Sequence, residues 1–518
     1  MARANQVNSG IVVVDFGAQY AHLIARRVRE LSVYSEIVPY NVSIKKLLSL
    51  TPKGIILSGG PSSVYEKGAP ILNKDILSLG IPILGICYGQ QLIGYLLKGN
   101  VIPNKMKEYG RQIIFVKNKD NLLSGLENKE QVWMSHGDLV KDLPKGFVSL
   151  ASTKTCENAA IGNFSNNIYG VQFHPEVVHT INGMRILRNF VFNVCKAEKN
   201  FYISDLPRKM IEEIKQTVGK DGVLMGISGG VDSTVAGTLI SKAIGKRFHG
   251  IFIDHGLIRQ NELEEVRDRY KKLGLNVDYV DASKLFLKRL KGIKDPEKKR
   301  KIIGHTFIKV FEAEAKKIVR KYKISYLAQG TIYPDRIESA QPSSKASKIK
   351  SHHNLTLPKK MKLKILEPLR DLYKDEVRKV GAELGLSKEL LWRHPFPGPG
   401  LAIRILGEID DDKLRILREA DHIYISELKK NNLYYKIWQA FAVLIPVKTV
   451  GVMGDARTYE YIISLRAVTS KDAMTADWAK IPNEVLEKIS IRIVNEVKGV
   501  NRVLYDITSK PPGTIEYE

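Results

Sequence analysis

The chain has 518 residues, 44% of them hydrophobic, and its 81 Lys and Arg against 55 Asp and Glu give a net charge of +26. This length suffices for three or four domains with cores of their own, and the composition is typical of globular proteins, which excludes a single small binding module and a disordered chain. Three scattered cysteines (Cys87, Cys156 and Cys195) exclude a disulfide framework and a CxxC metal site, and they indicate a reducing, cytoplasmic compartment. The sequence contains neither a signal-peptide core nor an apolar stretch long enough to cross a bilayer, so we expect no membrane partner.

The first part of the chain, up to about residue 195, alternates short apolar runs with segments of helical periodicity. The apolar runs predict strands at 11–14, 54–57, 81–86 and 170–173. Strands that alternate with helices form largely parallel sheets with helices on their faces. We therefore predict an α/β domain over residues 1–200.

The remainder of the chain divides in two. A polar stretch at 196–205 predicts a linker before a helix at 206–218, and a second alternation follows. Its apolar runs predict strands at 223–227, 249–253, 276–280 and 324–329. The run RHPFPGPGLAIRI at 393–405, dense in Pro and Gly, interrupts this pattern. The predicted fold class is therefore α/β, with two doubly wound, mostly parallel-sheet domains at 1–200 and 201–395 and a smaller α+β domain at 396–518.

The basic residues are spread along the chain and are denser at 288–301 and 345–364. The first segment, KRLKGIKDPEKKRK, is interrupted by acidic residues and predicts a solvated helix start. The polar run at 345–355 in the second predicts a mobile lid that closes over phosphates. Neither segment has the interleaved aromatic residues of a single-strand binding platform, and small anionic substrates explain the charge as well as a polynucleotide would. We therefore expect no nucleic-acid partner.

A cysteine stands at a predicted strand-to-helix turn. Cys87 follows an apolar run directly, with Gly85 two residues before it and Gly89 two residues after it. Small flanking residues permit the tight turn of a nucleophile elbow, and the N-terminus of the following helix lowers a thiol pKa. For a cysteine alone, a buried structural thiol would be the better explanation.

Two further segments favour a nucleophile. His174 and Glu176 lie two residues apart, so on an extended segment they project from the same side, and the carboxylate can orient the imidazole. The sequence SGGPSS at 58–63 follows another apolar run and offers backbone N–H groups for an oxyanion hole.

These motifs resemble the class I (triad) glutamine amidotransferases. GICYGQQ, FHPE and SGGP carry the resemblance. It implies that Cys87 attacks the glutamine side-chain amide, that His174 moves the protons and that Glu176 orients His174. It also implies oxyanion and glutamine contacts from Gly60, Tyr88, Gln91, Ser135, His136 and Asp138. His136 has no paired acid in the sequence pattern, so we expect it to be a scaffold residue.

The sequence SGGVDS at 228–233 lies between an apolar run and a predicted helix. Backbone N–H groups of such a turn form an anion cradle, although the Gly-Lys-Ser/Thr ending of a Walker A loop is missing and a plain strand–helix connection is the alternative. The sequence resembles the pyrophosphate loop of the N-type ATP pyrophosphatases, which implies that it holds the departing pyrophosphate with Mg²⁺ near Asp232. The expected ATP-binding residues are Ser228, Gly229, Gly230, Val231, Asp232, Ser233, Asp254, Gly330, Asp335 and Glu338. For Asp335 and Glu338, helix capping at the surface is the alternative.

With its C-terminal sequence RVLYDITSKPPGTIE at 502–516, the chain resembles the glutamine-hydrolysing GMP synthetase family over essentially its whole length. The resemblance implies that ATP adenylylates XMP with release of pyrophosphate, that ammonia from glutamine then displaces AMP, and that the C-terminal unit forms a homodimer. The XMP contacts that it implies are Gln439, Arg502, Lys510, Ile515 and Glu516.

Two alternatives stay open. A tRNA-modifying enzyme could use the same pyrophosphate loop and would suit the charge of +26, but it would not need a fused glutaminase. A non-enzymatic interaction protein would be expected to have lost Cys87 or the SGGVDS residues, and both are present.

Overall fold

The structure is a computed structural model of the chain, and it describes residues 9–17, 20–119, 121–335, 363–470 and 475–518. The chain divides into two compact units, Met1–Tyr202 and Ile203–Glu518.

Within the described residues, one sheet of nine strands organises the first unit. The strands are β1 (Ile11–Asp15), β2 (Ser35–Pro39), β3 (Gly54–Leu57), β4 (Ile83–Ile86), β5 (Asn100–Val116), β6 (Lys129–Asp142), β7 (Val148–Ser152), β8 (Ala160–Asn163) and β9 (Ile168–Val171). Their order is β2-β1-β3-β4-β9-β8-β7-β5-β6. The pairs from β2 to β9 are parallel, and those from β9 to β6 are antiparallel. The parallel half contains the strands that the apolar runs predict, because strands covered on both faces are apolar throughout.

Helices cover the sheet of the first unit. They are α1 (Ala21–Glu30), α2 (Ile44–Leu48), α3 (Tyr88–Leu96) and α4 (Gly183–Arg188), the last continued by a π-helical turn at Asn189–Val194. Helix α1 buries Ile24, Ala25 and Val28, the inner stripe of an amphipathic helix. A single residue, Cys87, separates the end of β4 from the start of α3.

The second unit begins with a sheet in which every pair of neighbours is parallel. Its strands are β10 (Gly222–Gly226), β11 (Phe248–Asp254), β12 (Val277–Asp281), β13 (Ile324–Ala328) and β14 (Lys364–Leu366), in the order β12-β11-β10-β13-β14. Strand β10 lies between β11, the next strand along the chain, and β13, which comes later in the chain. The carboxyl end of β10 is therefore a topological switch point, where open α/β sheets bind their ligands.

The helices of this part are α5 (Leu206–Val218), α6 (Val231–Ile244), α7 (Glu262–Lys272), α8 (Ser283–Leu290), α9 (Pro296–Lys321), α10 (Lys374–Glu383) and α11 (Lys388–Leu391). Helix α5 has the predicted bounds, because Pro207 lies in its first turn and Gly219 follows its last residue. Helix α6 starts directly after the SGG turn.

The C-terminal part has a second, smaller sheet. It contains β15 (Gln439–Met453), β16 (Ala456–Thr469), β17 (Asp477–Trp478) and β18 (Val500–Asp506), packed on α12 (Asp411–Lys430) and α13 (Asn483–Glu496). The long hairpin β15–β16 is antiparallel, whereas β18 runs parallel to β16. One apolar core joins Leu224 and Ile251 of the five-stranded parallel sheet to Leu444 and Ile463 of this smaller sheet. The predicted α/β fold class is confirmed.

One detail of the charge prediction is wrong. Helix α9 does begin within the basic run 288–301, and the side chain of Asp295 caps it by accepting from the backbone N–H of Lys298. Lys299, however, is fully buried, and its ammonium group donates to the carbonyl oxygens of Ala402 and Ile405 and contacts the Glu518 carboxylate. A buried ammonium group needs such partners, and they are distant in sequence.

None of the helices in the described residues is long and apolar enough to cross a membrane.

Candidate active site

Cys87 lies at a strained turn between β4 and α3. Its φ of +54° is in the left-handed region, and its backbone N–H donates to the Val171 carbonyl oxygen at 2.7 Å. The flanking glycines are required by space, because a Cβ on Gly85 would lie 2.5 Å from the Gly89 backbone, and one on Gly89 would lie 2.4 Å from the Leu57 carbonyl oxygen. The sequence therefore forms the predicted elbow, with the thiol at the N-terminus of α3.

An imidazole and a carboxylate stand beside this thiol. His174 Nδ1 lies 2.8 Å from Glu176 Oε1, and both side chains are buried. Burial acts to lower the pKa of His174, but the Glu176 carboxylate and the Cys87 thiol outweigh it and hold this pKa well above its usual range. The Thr180 hydroxyl donates to the His174 carbonyl oxygen at 2.6 Å and fixes the segment. The geometry suits a nucleophile, a base and an orienting acid.

The residues expected to contact glutamine lie around the same thiol. The Ser135 carbonyl oxygen is 3.6 Å from Cys87 Sγ. Gln91 Nε2 donates to the Asp138 carbonyl oxygen at 2.8 Å. Gly60 packs against the Tyr88 ring, 3.1 Å from where a Cβ on Gly60 would lie. Burial raises the pKa of the Tyr88 phenol to about 12, and its hydroxyl donates to the Pro70 carbonyl oxygen.

The expectation that His136 has no paired acid is wrong. His136 Nε2 lies 2.8 Å from Glu108 Oε2, and both side chains are buried. The sequence could not pair them, because Glu108 is 28 residues away and comes opposite His136 only after a register shift between β5 and β6.

In the second unit, the SGGVDS turn lies at the carboxyl end of β10. Gly229 has a φ of +76°, a conformation that glycine adopts without strain. The Ser228 and Ser233 hydroxyls are 3.0 Å apart, and the backbone N–H of Gly229 donates to the Tyr270 hydroxyl at 3.0 Å. Since α6 begins at Val231, the turn and the N-terminus of a 14-residue helix point to the same place.

Asp232, in the first turn of α6, has a cationic partner. Lys374 Nζ, at the start of α10, donates to Asp232 Oδ2 at 2.5 Å. The other carboxylate oxygen, Oδ1, is buried and has no hydrogen-bond partner in the described part of the chain. Those described residues bring no three His, Cys, Asp or Glu side chains together as a protein-only metal site.

Other residues expected to bind ATP lie at the ends of neighbouring strands. A Cβ on Gly330 would lie 3.4 Å from the backbone of Asp232 and Ser233, so this glycine is close to the turn. Asp254 ends β11 and accepts from the Gly256 backbone N–H, and Asp335 accepts from the Ile332 backbone N–H. Glu338 and the lid predicted at 345–355 lie outside the described residues.

Of the C-terminal residues expected to bind XMP, Gln439 contacts Glu516 directly. Its carboxylate receives a forked pair of hydrogen bonds from Arg404 Nε and Nη2 at 3.1 and 2.8 Å, and Gln439 Nε2 donates to it at 2.7 Å. Ile515 is buried beside Phe441.

The two other residues expected to contact XMP, Lys510 and Arg502, both lie on paired backbone segments. Lys510 pairs with Ala476 through backbone hydrogen bonds, and Arg502 lies on β18 opposite Ile462 with an exposed side chain.

Family models match three parts of the chain. The glutamine amidotransferase class-I model matches residues 12–194, the NAD synthase model residues 203–304, and the GMP synthase C terminal domain model residues 426–517.

Full-length relatives decide the family. The chain is 56% identical over 509 residues to a protein named GMP synthase [glutamine-hydrolyzing] from Aquifex aeolicus, covering 98% of this chain and 99% of that one. A protein of the same name from Carboxydothermus hydrogenoformans is 55% identical over 512 residues, covering 98% and 100%. The chain belongs to the glutamine-hydrolysing GMP synthases. The predicted family is confirmed.

Three further residues of this GMP synthase family member contact the candidate sites and were not predicted from the sequence. Gln172 donates to Cys87 Sγ at 3.7 Å. It lies two residues before His174 in the VQFHPE motif, so the sequence motif could have predicted it. Lys374 and Arg404 pair with Asp232 and Glu516 at separations of 142 and 112 residues, and no local pattern marks them.

Proposed function

We propose that this chain synthesises GMP from XMP, with ATP as the energy source and glutamine as the nitrogen donor. The observation that carries the proposal is that one chain holds both a thiol–imidazole–carboxylate set at the end of β4 and an anion cradle at the carboxyl end of β10. The first suits hydrolysis of an amide, and the second suits a nucleoside triphosphate. The three domains 1–200, 201–395 and 396–518 would carry glutamine hydrolysis, ATP cleavage, and XMP binding with dimerisation.

Cys87, His174 and Glu176 would hydrolyse glutamine. The Cys87 sulfur adds to the side-chain amide carbon, and backbone N–H groups near Gly60 and Tyr88 stabilise the oxyanion. Because Glu176 occupies Nδ1 of His174, the proton for the leaving ammonia is carried on Nε2. Water then releases glutamate from the thioester, with His174 taking the proton from the water.

The SGGVDS turn would hold the phosphates of ATP, together with Asp254, Gly330, Asp335 and Glu338. The XMP O2 attacks the α-phosphorus, and pyrophosphate leaves into the backbone cradle. Ammonia from glutamine then adds to C2 of the adenylyl-XMP intermediate, and AMP leaves.

The residues beside this cradle fit Mg²⁺. The buried, unpartnered Oδ1 of Asp232 is a hard oxygen donor, and Mg²⁺ commonly takes one or two carboxylates together with substrate phosphates. When bound, the ion would neutralise charge on the phosphates. Lys374, which contacts the same carboxylate, would supply a further cation toward the pyrophosphate.

Gln439, Arg502, Lys510, Ile515 and Glu516 would bind XMP. Lys510 suits the phosphate, and Glu516 suits the purine N–H groups, because Arg404 and Gln439 fix its carboxylate. The fully buried Arg404 therefore supports the base-binding side of this site.

We further propose a homodimer in the cytoplasm. The end of the β15–β16 hairpin exposes Val450, Val452 and Tyr459, which share one face of the sheet because Val450 pairs with Tyr459. Such an apolar sheet face suits a second copy of the same chain. All three cysteines are free thiols, which is the usual state of cysteines in a reducing compartment. Light scattering of the full chain tests the dimer.

The proposed function is tested with the wild-type chain. AMP and GMP are measured with ATP and XMP and with either glutamine or ammonium as the nitrogen source. We expect one AMP per GMP with both sources, and no AMP without XMP. GMP formation with neither source would contradict the proposal, and so would AMP release independent of XMP.

A further inference from the structure

A buried carboxylate, Glu108, lies near the thiol site but belongs to none of the groups that act on glutamine. Its Oε1 accepts hydrogen bonds from the Thr153 and Thr155 hydroxyls at 2.7 and 2.6 Å, and its Oε2 contacts His136 Nε2 at 2.8 Å. Glu108 and His136 stand opposite each other on β5 and β6, and their side chains are at most 4% exposed. Keeping a carboxylate at such a site needs all these donors.

The contacts of the His136 ring fix its orientation. Nδ1 lies 2.8 Å from the Asp138 carbonyl oxygen, which can only accept, so Nδ1 carries a proton. Nε2 faces Glu108, so a second proton lies between that nitrogen and the carboxylate. Turning the ring over would break both contacts. Burial acts to raise the pKa of Glu108, but the hydrogen bonds from His136, Thr155 and Thr153 outweigh it and lower this pKa overall.

The contacts continue from Asp138 to the thiol. The Asp138 carbonyl oxygen also accepts from Gln91 Nε2 at 2.8 Å, and the same amide group lies 3.3 Å from Gln172 Oε1. Gln172 Nε2 in turn donates to Cys87 Sγ at 3.7 Å. Gln91 and Gln172 are both buried, so water does not compete for these bonds.

We propose that Glu108 is a positioning residue for glutamine hydrolysis: through His136 it fixes the Asp138 carbonyl group and Gln91, and thereby the surroundings in which glutamine meets the Cys87 thiol. Glu108 itself touches neither the thiol nor the substrate. The inference rests on the proposed function, and ammonium-dependent synthesis by the same protein keeps the two separable.

The test compares three full-length variants. Glu108→Ala removes the acceptor for His136, and we expect kcat/KM for glutamine to fall about 10- to 100-fold, mostly through KM, as for the loss of a buried hydrogen-bonded group. Glu108→Gln should recover most of this loss, because its amide can donate to Nε2 and its carbonyl can accept from the two threonines. Synthesis of GMP with ammonium should be unchanged in both variants.

Glu130→Ala is the matched control. Glu130 is also a buried carboxylate, on β6, but it accepts from the Glu127 backbone N–H and from Asn182. We expect its glutamine KM to stay near that of the wild type. Two of these results would not follow from a general loss of stability, namely a change carried by KM rather than by kcat and its recovery in Glu108→Gln.

Several results would overturn the inference. They are a wild-type glutamine KM in Glu108→Ala, an equal rise in Glu130→Ala, and no recovery in Glu108→Gln. If Glu108→Ala does not fold, the double variant Thr153→Val/Thr155→Val decides: a raised glutamine KM supports the inference, and an unchanged one overturns it. A wild-type protein that makes no GMP from either nitrogen source would instead contradict the proposed function.

Discussion

In both units, a side chain proposed to take part in the reaction lies beside a charged partner. His174 Nδ1 lies 2.8 Å from Glu176 Oε1, and Lys374 Nζ donates to Asp232 Oδ2 at 2.5 Å. The first pair is two residues apart and could be predicted from the FHPE motif. The second pair is 142 residues apart, and only the fold brings it together.

Asp232→Asn should stop AMP release with either nitrogen source. The amide keeps the shape of the side chain but removes the negative charge that a cation beside the phosphates requires. Labelling of Cys87 by a thiol-directed glutamine analogue should continue at the wild-type rate, since that thiol lies in the other unit. An unchanged rate of XMP adenylylation in this variant would contradict the assignment of the pyrophosphate loop.

The elements of the fold were predictable to different degrees. The buried parallel strands, such as β1 and β3, appear in the sequence as continuous apolar runs. Strand β2, SEIVP, is short and mixed, and β5 contains polar residues, a proline and a register shift, so neither shows a clear period. The buried Lys299 was mispredicted for a related reason, because its partner Glu518 is 219 residues away.

The contact between α3 and β3 permits no side chain at Gly89. A Cβ there would lie 2.4 Å from the Leu57 carbonyl oxygen, so Gly89→Ala should displace α3 and the elbow with it. We expect a lower melting temperature of the first unit and a loss of glutaminase activity, with ammonium-dependent synthesis retained. Gly94→Ala is the control on the same helix, since its Cβ would meet side chains rather than backbone, namely Val140 at 3.0 Å and Val101 at 3.5 Å. Equal glutaminase rates in the two variants would count against this account of the elbow.

Helices α12 and α13 are joined by a buried carboxylate that gives a pH dependence. Burial acts to raise the pKa of Glu427, but hydrogen bonds from Lys488, Arg492 and Lys430 lower it to about 2. Because this folded-state pKa lies below the ordinary one, the stabilisation is complete above about pH 4.5 and is lost as the pH falls toward 2.

Glu427→Gln should therefore lower the free energy of unfolding of the second unit by about 1–3 kcal/mol at pH 7, a range that allows for the solvent exposure of the lysines. Urea unfolding at pH 7 and at pH 3 measures the difference from the wild type, which should shrink at the lower pH. Glu496→Gln is the control, because Glu496 is half exposed and its pair with Arg492 should contribute less than about 1 kcal/mol. A difference for Glu427→Gln that stays constant with pH would contradict the assignment.

At the scale of the whole molecule, the composition predicted a multidomain globular chain, and the fold class and the family are confirmed. The net charge of +26 has no single structural explanation, since some of the cations, such as Lys299 and Arg404, are buried and paired. The central claim is that one chain joins two chemistries that can be separated by substitution.

GMP formation by Cys87→Ala with glutamine and with ammonium tests that claim most directly. The thiol is needed only to release ammonia, so the account predicts that glutamine-dependent synthesis falls by several powers of ten, as for removal of a catalytic nucleophile, while synthesis from ammonium stays at the wild-type rate. Loss of both activities in a folded variant would contradict the account, and so would glutamine-dependent synthesis that continues without the thiol.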